Sequence, residues 1–318
     1  MHKKKMRCQV ITSFADDGKC TIKEGCESLG ITRQGYYKRQ DTSLGEAGAE
    51  EVTVKMIADI RHDASCKYGG RKLKPLLEER GRRIGRDRLF SLMRRNGLCV
   101  VPVRNGARTT YSYYWMRHYP NLIKGVKPEG RNRIWVCDIT YVRLEDGTFC
   151  YLHLVTDMFS RRIMGWCVSP TLETRYTKKA MRMAIRQAGG RDGGEIAGLI
   201  CHSDRGCQYC SNSYVHMLEG FGMRPSMNEH SDPRENAIAE RVNGIIKNEY
   251  LKDRKIKDIH EANSAVANAI RCYNTMRPHM SLNYATPESV YRISKVNQLP
   301  ILAQNENNVQ NQAAFVQR

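Results

Sequence analysis

Hydrophobic residues recur at helical spacing in three successive runs between Glu50 and Leu98. The runs are Met56, Ile57 and Ile60, then Leu73, Leu76 and Leu77, then Leu89, Leu92 and Met93. Apolar side chains three and four positions apart are typical of helices with one buried face. Glycines separate the runs, as they do at helix ends. The pattern therefore predicts a compact three-helix unit over residues 50–100.

The segment before this unit is also helical in character. The stretch "IKEGCESLGITRQGYYKRQ" predicts two short helices joined at Gly30. A helix-turn-helix fragment and a helical hairpin without DNA contacts are equally compatible with this pattern. The next stretch, "DTSLGEAGA" over residues 41–49, contains turn residues and predicts a linker. Residues 1–49 are thus interpreted as an N-terminal helical segment.

After Arg131 the pattern changes to that of β-strands. The runs "RIWVCDITYV", "FCYLHLVTD" and "RIMGWCVS" are rich in β-branched and aromatic residues, and Asp146-Gly147 marks a hairpin turn between the first two. A helix with Ala180, Ala184 and Ala188 on one side follows. Three strands this close in sequence predict an antiparallel meander.

Two further strands complete the predicted sheet. The run "AGLICHSD" predicts a buried strand, a helix follows around Tyr214 to Leu218, and Pro225 assigns the short strand "MRPSM" to a sheet edge. The order is therefore βββαβαβα, which predicts an α/β fold with a mixed sheet. A right-handed crossover would pair the fourth strand in parallel with the first.

The remaining segments have no clear period. Residues 101–130 are basic and rich in aromatic residues and are interpreted as a connector. Its aromatic rings could stack on unpaired bases or pack against a neighbouring domain. Residues 292–318 are rich in Asn and Gln and predict a disordered tail.

Charge adds a candidate partner to this outline. The chain has 52 Lys and Arg against 33 Asp and Glu, a net charge of +19. Between Cys66 and Val126 there are 15 basic and 3 acidic residues. Such a block is typical of a protein that binds a polyanion through phosphate contacts, and equally of a solvated basic surface. Within the helical unit, the candidate DNA contacts are Arg71, Lys72, Lys74, Arg86, Arg88, Arg94 and Arg95.

The sequence offers no membrane span and no secretory signal, so we expect a cytoplasmic protein associated with the nucleoid rather than with a membrane. The 12 cysteines are scattered, and only Cys207 and Cys210 form a CxxC pair. Without a second pair or a His pair at ligand spacing, zinc is not expected. The cysteines are interpreted as reduced and mostly buried.

Two aspartates are candidates for a metal site. Asp138 lies midway along the first predicted strand among apolar residues, and Asp204 ends the fourth. Parallel pairing of these strands would bring the two carboxylates together. Carboxylates held close repel each other unless a cation neutralises them. Mg²⁺ suits oxygen ligands from one or two carboxylates completed by water and phosphate.

The helix that follows contains two glutamates, Glu235 and Glu240. At about 100° per residue they lie about 140° apart and cannot share a role. Asp232, Pro233 and Glu235 fit a helix start, with Asp232 as the N-cap and Glu235 at the third position. Glu240 points away from the apolar side and is free to face the aspartates. An ordinary exposed glutamate would be the alternative for either one.

At these residues the chain resembles the catalytic subunit of insertion sequence 3 family transposases and, more distantly, retroviral integrases. The segments that match are "WVCDITYV", "YLHLVTDMFSRRIMGW", "HSDRGCQYCS", "ENAIAERVNGIIKNEYL" and "YNTMRPHMSLNYATP", in the family's order. The 35 residues between Asp204 and Glu240 also match the family spacing. Lys247, seven positions after Glu240, matches a basic position of these enzymes. One departure is Glu235, where relatives often have Asp.

The resemblance implies a ribonuclease H-like core over residues 131–291, with a mixed five-stranded sheet and flanking helices, preceded by a small basic helical domain that binds double-stranded DNA. It implies that Asp138, Asp204 and Glu240 are the metal-binding and catalytic triad, and that Lys247 contacts DNA phosphate. Asp157 also matches the family, but it ends a strand at a turn, which favours a structural role. For His202, Asn236, Arg277 and His279, substrate positioning and loop packing both remain open.

The implied reaction is strand cleavage and then strand transfer by a DNA 3′-hydroxyl, with two Mg²⁺ ions as cofactors and Mn²⁺ as a substitute. Relatives act as multimers on paired ends and use a companion protein from an upstream frame. One alternative is a nuclease of the same fold, against which the basic helical domain and "YNTMRPH" argue. Another is a non-catalytic DNA-binding regulator, for which Mg²⁺ and the three carboxylates would be dispensable.

Overall fold

The computed structural model describes residues 2–100, 119–189, 196–229 and 236–293. These residues form two compact units, the first from residues 2–63 and 68–100 and the second from residues 64–67 and 119–293 with the gaps just given. No helix in the described ranges combines the length and apolarity of a membrane span. The predicted tail beyond residue 293 and residues 101–118 of the connector lie outside the described ranges.

The first unit consists of five helices. They are α1 (His2–Asp16), α2 (Ile22–Ser28), α3 (Arg33–Asp63), α4 (Gly70–Glu79) and α5 (Arg86–Arg95). Helix α2 begins with a capping box, in which the Thr21 hydroxyl accepts from the Glu24 amide and the Glu24 carboxylate accepts from the Thr21 amide. Gly30 lies between α2 and α3 with φ at +64°. The predicted pair of helices joined at Gly30 is therefore confirmed, but the second helix is not short, because α3 runs to Asp63.

Helix α3 runs without a break through residues 41–49, so the predicted linker is wrong. Glycine costs a helix about 1 kcal/mol relative to alanine, which made Gly45 and Gly48 indicate a break. The helix nevertheless continues through both glycines, from Arg33 to Asp63. The predicted boundary at residue 49 thus falls inside a helix, and the segments on either side of it lie in the same compact unit.

The apolar runs predicted from spacing form the interior of this unit. Ile57, Leu73, Leu77 and Leu89 are fully buried, and Met93 has only 1% of its surface exposed. The three predicted helices over residues 50–100 are the C-terminal half of α3 together with α4 and α5. Their basic residues lie outside this core.

The second unit is built on a five-stranded sheet. Its strands are β1 (Ile134–Arg143), β2 (Phe149–Asp157), β3 (Ile163–Ser169), β4 (Ile200–Ser203) and β5 (Arg224–Met227), in the order β3-β2-β1-β4-β5. Strands β1, β2 and β3 pair antiparallel, whereas β4 pairs in parallel with β1 and with β5. The mixed five-stranded sheet, the meander and the parallel β1–β4 pair are all confirmed. Strand β5, which contains Pro225, lies at the sheet edge as predicted.

Helices flank this sheet. They are α6 (Thr174–Gln187), α7 (Cys207–Cys210), α8 (Asn212–Gly220), α9 (Ala237–Ile245), α10 (Ile259–Thr275) and α11 (Pro287–Ile293). A π-helical segment, Ile246–Leu251, continues α9 directly. Helix α6 packs closely on β3, because a Cβ atom at Gly165 would lie 2.1 Å from the Ala180 carbonyl oxygen. Helices α1, α7, α10 and α11 are absent from the elements predicted from the sequence.

Two smaller predictions also have an outcome. All 12 cysteines are free thiols and most are buried, with Cys99 and Cys207 exposed. The described end of the connector does not stand apart from the core, because Leu122, Ile123 and Val126 pack against Ile134 and Ile200. Tyr119 also packs against the core, whereas the other aromatic residues of the connector lie outside the described ranges.

Candidate active site

Strand register places Asp138 beside Asp204. Cys137 on β1 pairs with Ser203 at the end of β4, and each aspartate is the next residue along its chain. Both side chains are partly buried. Asp138 accepts a hydrogen bond from the Ile139 amide at 2.8 Å, and Asp204 accepts one from the Gly206 amide at 3.0 Å. The two carboxylates thus meet at one point of the sheet, where a parallel strand pair ends.

Helix α9 lies against this point through two asparagines. The Asn236 amide nitrogen donates to the Cys137 carbonyl oxygen at 3.2 Å, and the Asn243 amide nitrogen donates to Asp138 Oδ2 at 2.7 Å. Residues 236, 240 and 243 share one face of a helix because they are four and three positions apart. Glu240 is therefore on the face of α9 that approaches β1, and its side chain is exposed.

The predicted start of this helix falls on residues that the structure does not describe. Residues 230–235, which include Asp232 and Glu235, are outside the described ranges. Helix α9 begins at Ala237 with Asn236 in the N-cap position, and Glu240 lies in its first turn. A carboxylate there interacts favourably with the positive end of the helix dipole.

The pKa of the Asp138 carboxyl is raised from its ordinary value of 3.8 to about 7. Burial is the largest cause, and the negative charges of Asp204 and Glu240 add to it, while the Ile139 and Asn243 hydrogen bonds oppose it. Burial also raises the pKa of Asp204, against the Gly206 hydrogen bond. The site therefore concentrates negative charge where water cannot screen it fully, which favours either a proton or a cation there.

The donor set can be tested against a divalent cation. Across the ranges that the structure describes, no three Asp, Glu, His or Cys side chains lie close enough together to hold one ion. The Asp138–Asp204 pair still suits Mg²⁺, which often binds one or two carboxylates and takes its other ligands from water and phosphate. The Asn243 Oδ1 atom is buried beside Asp138 and has no hydrogen-bond partner, so it adds an unsatisfied oxygen acceptor. These groups fit an oxygen-preferring cation.

Asn243 is the residue at this site to which the sequence assigned no function. Its position three residues after Glu240 placed it on the polar side of the helix, but nothing local distinguishes it from Asn236 or Asn248. The signal that could have found it is the spacing from Glu240, because i and i+3 residues share a helix face. Its contact with Asp138 depends on how α9 docks on β1.

Lys247 lies in the π-helical segment after α9 and is partly buried. A widened helical turn of this kind often occurs at functional sites. Lys247 lines a groove between the β1–β2 hairpin and this segment, rather than contacting the aspartates. Lys247 therefore belongs to the same unit as the carboxylates, but it lies in the neighbouring groove and not in the carboxylate cluster.

The seven candidate DNA contacts of the helical unit are at its surface. Arg71, Arg86, Arg88, Arg94 and Arg95 are exposed, and Lys72 and Lys74 are partly buried. Four of the seven form ion pairs with acidic side chains of the same unit: Lys74 with Glu78, Arg86 with Asp87, Arg88 with Glu46 and Glu50, and Arg95 with Glu50. These ion pairs make the surface of the helical unit less positive than its number of Lys and Arg residues suggests.

Asp157, at the end of β2, has a different environment. It is fully buried and accepts hydrogen bonds from the Asn132 amide and from the amide and hydroxyl of Ser160, at 2.9, 2.8 and 2.6 Å. These contacts close the turn between β2 and β3 and tie it to the residue before β1. They support the structural role expected from its position.

The four residues of open role are buried and internally hydrogen-bonded. His202 contacts Ser226 and Asn228 through its two ring nitrogens, at 2.9 and 2.7 Å. Arg277 donates to both carboxylate oxygens of Glu249 at 2.9 Å and also contacts His279. Asn236 contacts the backbone of β1, as described above. This supports packing for His202, Arg277 and His279 and places only Asn236 beside the carboxylates.

Two integrase core domain models match this chain, one over residues 128–233 and one over residues 221–287. Together they cover the sheet and the helix that contains Glu240. The strand order and paired aspartates, with this match, define an integrase-type polynucleotidyl transferase with a ribonuclease H-like core.

Curated relatives narrow this class. The chain is 31% identical over 265 residues to a 31 kDa protein of the insertion element IS600 from Shigella sonnei, which covers 82% of this chain and 95% of the relative. It is 31% identical over 244 residues to the transposase of IS904 from Lactococcus lactis, covering 75% and 92%. It is 28% identical over 275 residues to the transposase InsF of IS3A from Escherichia coli, covering 84% and 93%. The chain belongs to this insertion sequence 3 family of DNA transposases, which cleave and join DNA during transposition and integration.

Solved structures of similar fold include a magnesium complex of the HTLV-2 integrase catalytic core, with 21% identity and a TM-score of 0.42 over 52% of this chain and 99% of that one. A simian T-cell lymphotropic virus intasome in complex with a PP2A regulatory subunit gives 16% identity and a TM-score of 0.47, over 73% and 76%.

Proposed function

We propose that Asp138, Asp204 and Glu240 are the catalytic carboxylates of this transposase and that they bind divalent cations. The observation that carries this proposal is the Asp138–Asp204 pair, in which the pKa of Asp138 is raised to about 7 by burial and by the charges of Asp204 and Glu240. Such a cluster is costly to keep ionised in a protein that merely binds DNA, whereas a metal ion offsets its charge.

The reaction that these residues serve is phosphodiester transesterification in two steps. First, a water oxygen bonds to a phosphorus atom at the element end, the bond from phosphorus to the 3′-oxygen breaks, and a 3′-hydroxyl is released. That 3′-hydroxyl then attacks a phosphorus atom of the target, and the target's own 3′-oxygen leaves with a proton. Bound Mg²⁺, or Mn²⁺ in its place, would supply an acidified nucleophile and charge stabilisation at the leaving oxygen.

The chain's own residues would divide this task. Asp138 and Asp204 would hold the cation between neighbouring strands, and Glu240 would complete the set from α9, with two such ions expected. The Asn243 amide keeps the Asp138 carboxylate oriented, because it donates to one oxygen while the Ile139 amide donates to the other. Lys247 would contact a DNA phosphate near the cut.

DNA contacts outside the core belong to the first unit in this proposal. Helices α4 and α5 bring Arg71, Lys72, Lys74, Arg86, Arg88, Arg94 and Arg95 to double-stranded DNA through phosphates, which fix position without reading sequence. Arg71 and Arg94 are the best placed of these, because neither forms an ion pair with a described residue. A multimer on paired ends and a companion protein from an upstream frame complete the proposed assembly.

The proposal is tested in cells with a plasmid that carries the element ends and an upstream frame. Joined ends are measured for wild type, Glu240→Gln and Glu235→Gln, the latter a matched change on a nearby residue. We expect loss only in Glu240→Gln. Wild-type joining by Glu240→Gln would remove Glu240 from the triad, and cleavage without joining in wild type would indicate a nuclease.

A second measurement tests the cation without relying on activity. The thermal midpoint of the purified full-length protein is followed at about pH 8 as Mg²⁺ is added, for wild type and Asp138→Asn. A ligand that binds only the folded state raises the midpoint. We expect a rise in wild type and none in Asp138→Asn. Equal rises in both would contradict a cation site at Asp138.

A further inference from the structure

A groove of about 430 Å³ lies between the β1–β2 hairpin and the segment that follows α9. Its lining includes the aromatic residues Tyr141 and Phe149 and the aliphatic residues Leu251 and Ile256. Phe149 is 52% exposed, which is unusual for a phenylalanine. Its ring contacts Tyr141 edge to face, with 6.2 Å between the ring centroids. The groove therefore offers an apolar lining with an accessible aromatic ring, and its volume is within the range of roughly 300–1,000 Å³ of small-ligand sites.

The same groove is strongly basic. Its lining contains five cationic side chains and one carboxylate, Glu145. The cations are Arg143, Lys247, Lys252, Arg254 and Lys255. Arg143, Lys247, Lys252 and Lys255 form no ion pair with any residue in the described ranges. Glu145 in the lining and Asp253 beside Lys252 offset part of this charge. The five cations still leave the groove with a positive excess that an anion can use.

The groove and the candidate active site share two elements of the chain. Strand β1 contains Asp138 and, five residues later, Arg143, a span of about 17 Å at about 3.4 Å per residue. The chain after Glu240 reaches Lys247 seven residues later. Positions 138 and 143 are on opposite faces of β1, because successive side chains of a strand alternate. A DNA strand bound at Asp138 would therefore have to pass the part of β1 beyond Cys137, where the pairing with β4 ends, to reach the groove.

We propose that this groove binds an unpaired nucleotide of the DNA strand that is processed at the active site, with the base against Phe149 and the phosphates at the lysines. This inference rests on the proposed function. Duplex DNA presents phosphates on its outside and would not occupy an apolar, aromatic lining. A flat base attached to a charged backbone matches both parts of the groove, as in proteins that combine aromatic stacking with cationic contacts to hold single strands.

The test measures binding of the full-length protein to two labelled DNAs by fluorescence anisotropy, without divalent metal. One is a blunt duplex and the other is the same duplex with a short unpaired overhang. Loss of one stacked base costs about 1–3 kcal/mol, which is about 5- to 150-fold in affinity. We expect Phe149→Ala to weaken binding of the overhang DNA about tenfold and to leave the blunt duplex nearly unchanged.

A charge variant and a matched control complete the set. Lys252→Ala combined with Lys255→Ala removes two groove charges, whereas Lys179→Ala combined with Arg186→Ala removes two exposed charges from α6. Each phosphate contact on a single strand contributes about 0.7 to the dependence of log K on log salt. We expect the groove pair to lower the slope for the overhang DNA by about 1.4 and the α6 pair to change it much less. Unchanged thermal midpoints establish that the variants are folded.

Three results would overturn the proposal. Equal losses for blunt and overhang DNA in Phe149→Ala would show that no unpaired base is bound. Equal effects of the groove and α6 pairs would indicate non-specific charge. Unchanged DNA affinity in every groove variant would leave an acidic polypeptide as the better occupant.

The proposed function is judged separately by joined ends. If Glu240→Gln joins ends as wild type does while Phe149→Ala loses overhang binding, the triad is wrong and the groove stands. If Glu240→Gln is inactive but the groove variants bind as wild type, the groove inference alone fails.

Discussion

Two buried aspartates of the same sheet, Asp138 and Asp157, show how environment separates a reactive carboxylate from a structural one. Burial raises the pKa of both. Around Asp157, hydrogen bonds from Asn132 and Ser160 and the positive charge of Arg161 stabilise the ionised carboxylate, which is closed off from water. Around Asp138 two donors oppose two further carboxylates, and the side chain remains partly exposed.

The difference lies in what each carboxylate still lacks. Asp157 has its charge distributed over three donors, so it needs nothing more, and its removal would leave those donors unpaired. Asp138 has the like charges of Asp204 and Glu240 beside it, and both raise its pKa. A buried carboxylate becomes a candidate for function when its neighbours add to its charge instead of offsetting it.

The largest effect expected from this comparison is on strand transfer. Asp138→Asn or Asp204→Asn should lower the rate by roughly 10³-fold, because metal-assisted charge stabilisation contributes several kcal/mol to such reactions. Asp157→Asn should lose activity only as far as the folded fraction falls. The measurement is joined ends per folded protein, with folding followed by circular dichroism. A folded but inactive Asp157→Asn variant would contradict a purely structural role for Asp157.

The next effect is on stability. Asp157→Ala should lower the free energy of unfolding by about 2–4 kcal/mol, because buried donors of Asn132 and Ser160 lose their acceptor. The control is Asp146→Ala, which removes an exposed aspartate that accepts from Thr148 in the hairpin turn and should cost much less. Urea unfolding of both variants measures the difference. Equal losses would mean that burial of Asp157 does not set its contribution.

The pH dependence of stability tests the environment of Asp138. With its pKa at about 7 in the folded protein, Asp138 contributes stability that is fully present below its unfolded pKa of about 3.9 and is lost as pH rises through about 7. Asp138→Asn removes this loss and should be more stable than wild type at about pH 8. The shift of this pKa from 3.8 to about 7 corresponds to on the order of 4 kcal/mol, which solvent screening of the partly exposed carboxylate reduces to about 2 kcal/mol. Urea midpoints across this range test it without added metal.

The raised pKa of Asp157 also makes stability fall as pH rises, and it does so in wild type and in Asp138→Asn alike. The difference in stability between the two proteins therefore reports the contribution of Asp138. Parallel curves for wild type and Asp138→Asn would show that the Asp138 pKa is ordinary.

The smallest effect concerns Asn243. Its hydrogen bond lowers the pKa of Asp138, so Asn243→Ala should raise that pKa and move the acid side of the pH–rate profile to higher pH. Loss of one charge-assisted hydrogen bond should reduce strand transfer at neutral pH by about tenfold. Recovery of rate at higher pH separates this effect from misfolding, which pH would not reverse. An unshifted profile would leave Asn243 with a packing role only.

Much of the core fold could be predicted from local patterns. Strand β2 has the predicted bounds, and Gly147 takes the positive φ of +87° that the Asp-Gly hairpin signal indicates. The parallel β1–β4 pair followed from the handedness of crossovers, which depends on strand twist and little on individual residues. Local patterns failed at residues 41–49, where glycine content indicated a linker and the structure has continuous helix.

The sequence by itself determined the order and type of the strands, the family and the identity of the candidate carboxylates, because periodicity, turn chemistry and motif spacing are properties of neighbouring positions. Tertiary structure alone decided that Asn243 donates to Asp138 across 105 positions of the chain. It also decided that the charges of Asp204 and Glu240 raise one pKa while the donors around Asp157 stabilise another carboxylate. Desolvation and charge interaction depend on the three-dimensional distances between groups, which the docking of α9 and the pairing of β1 with β4 establish.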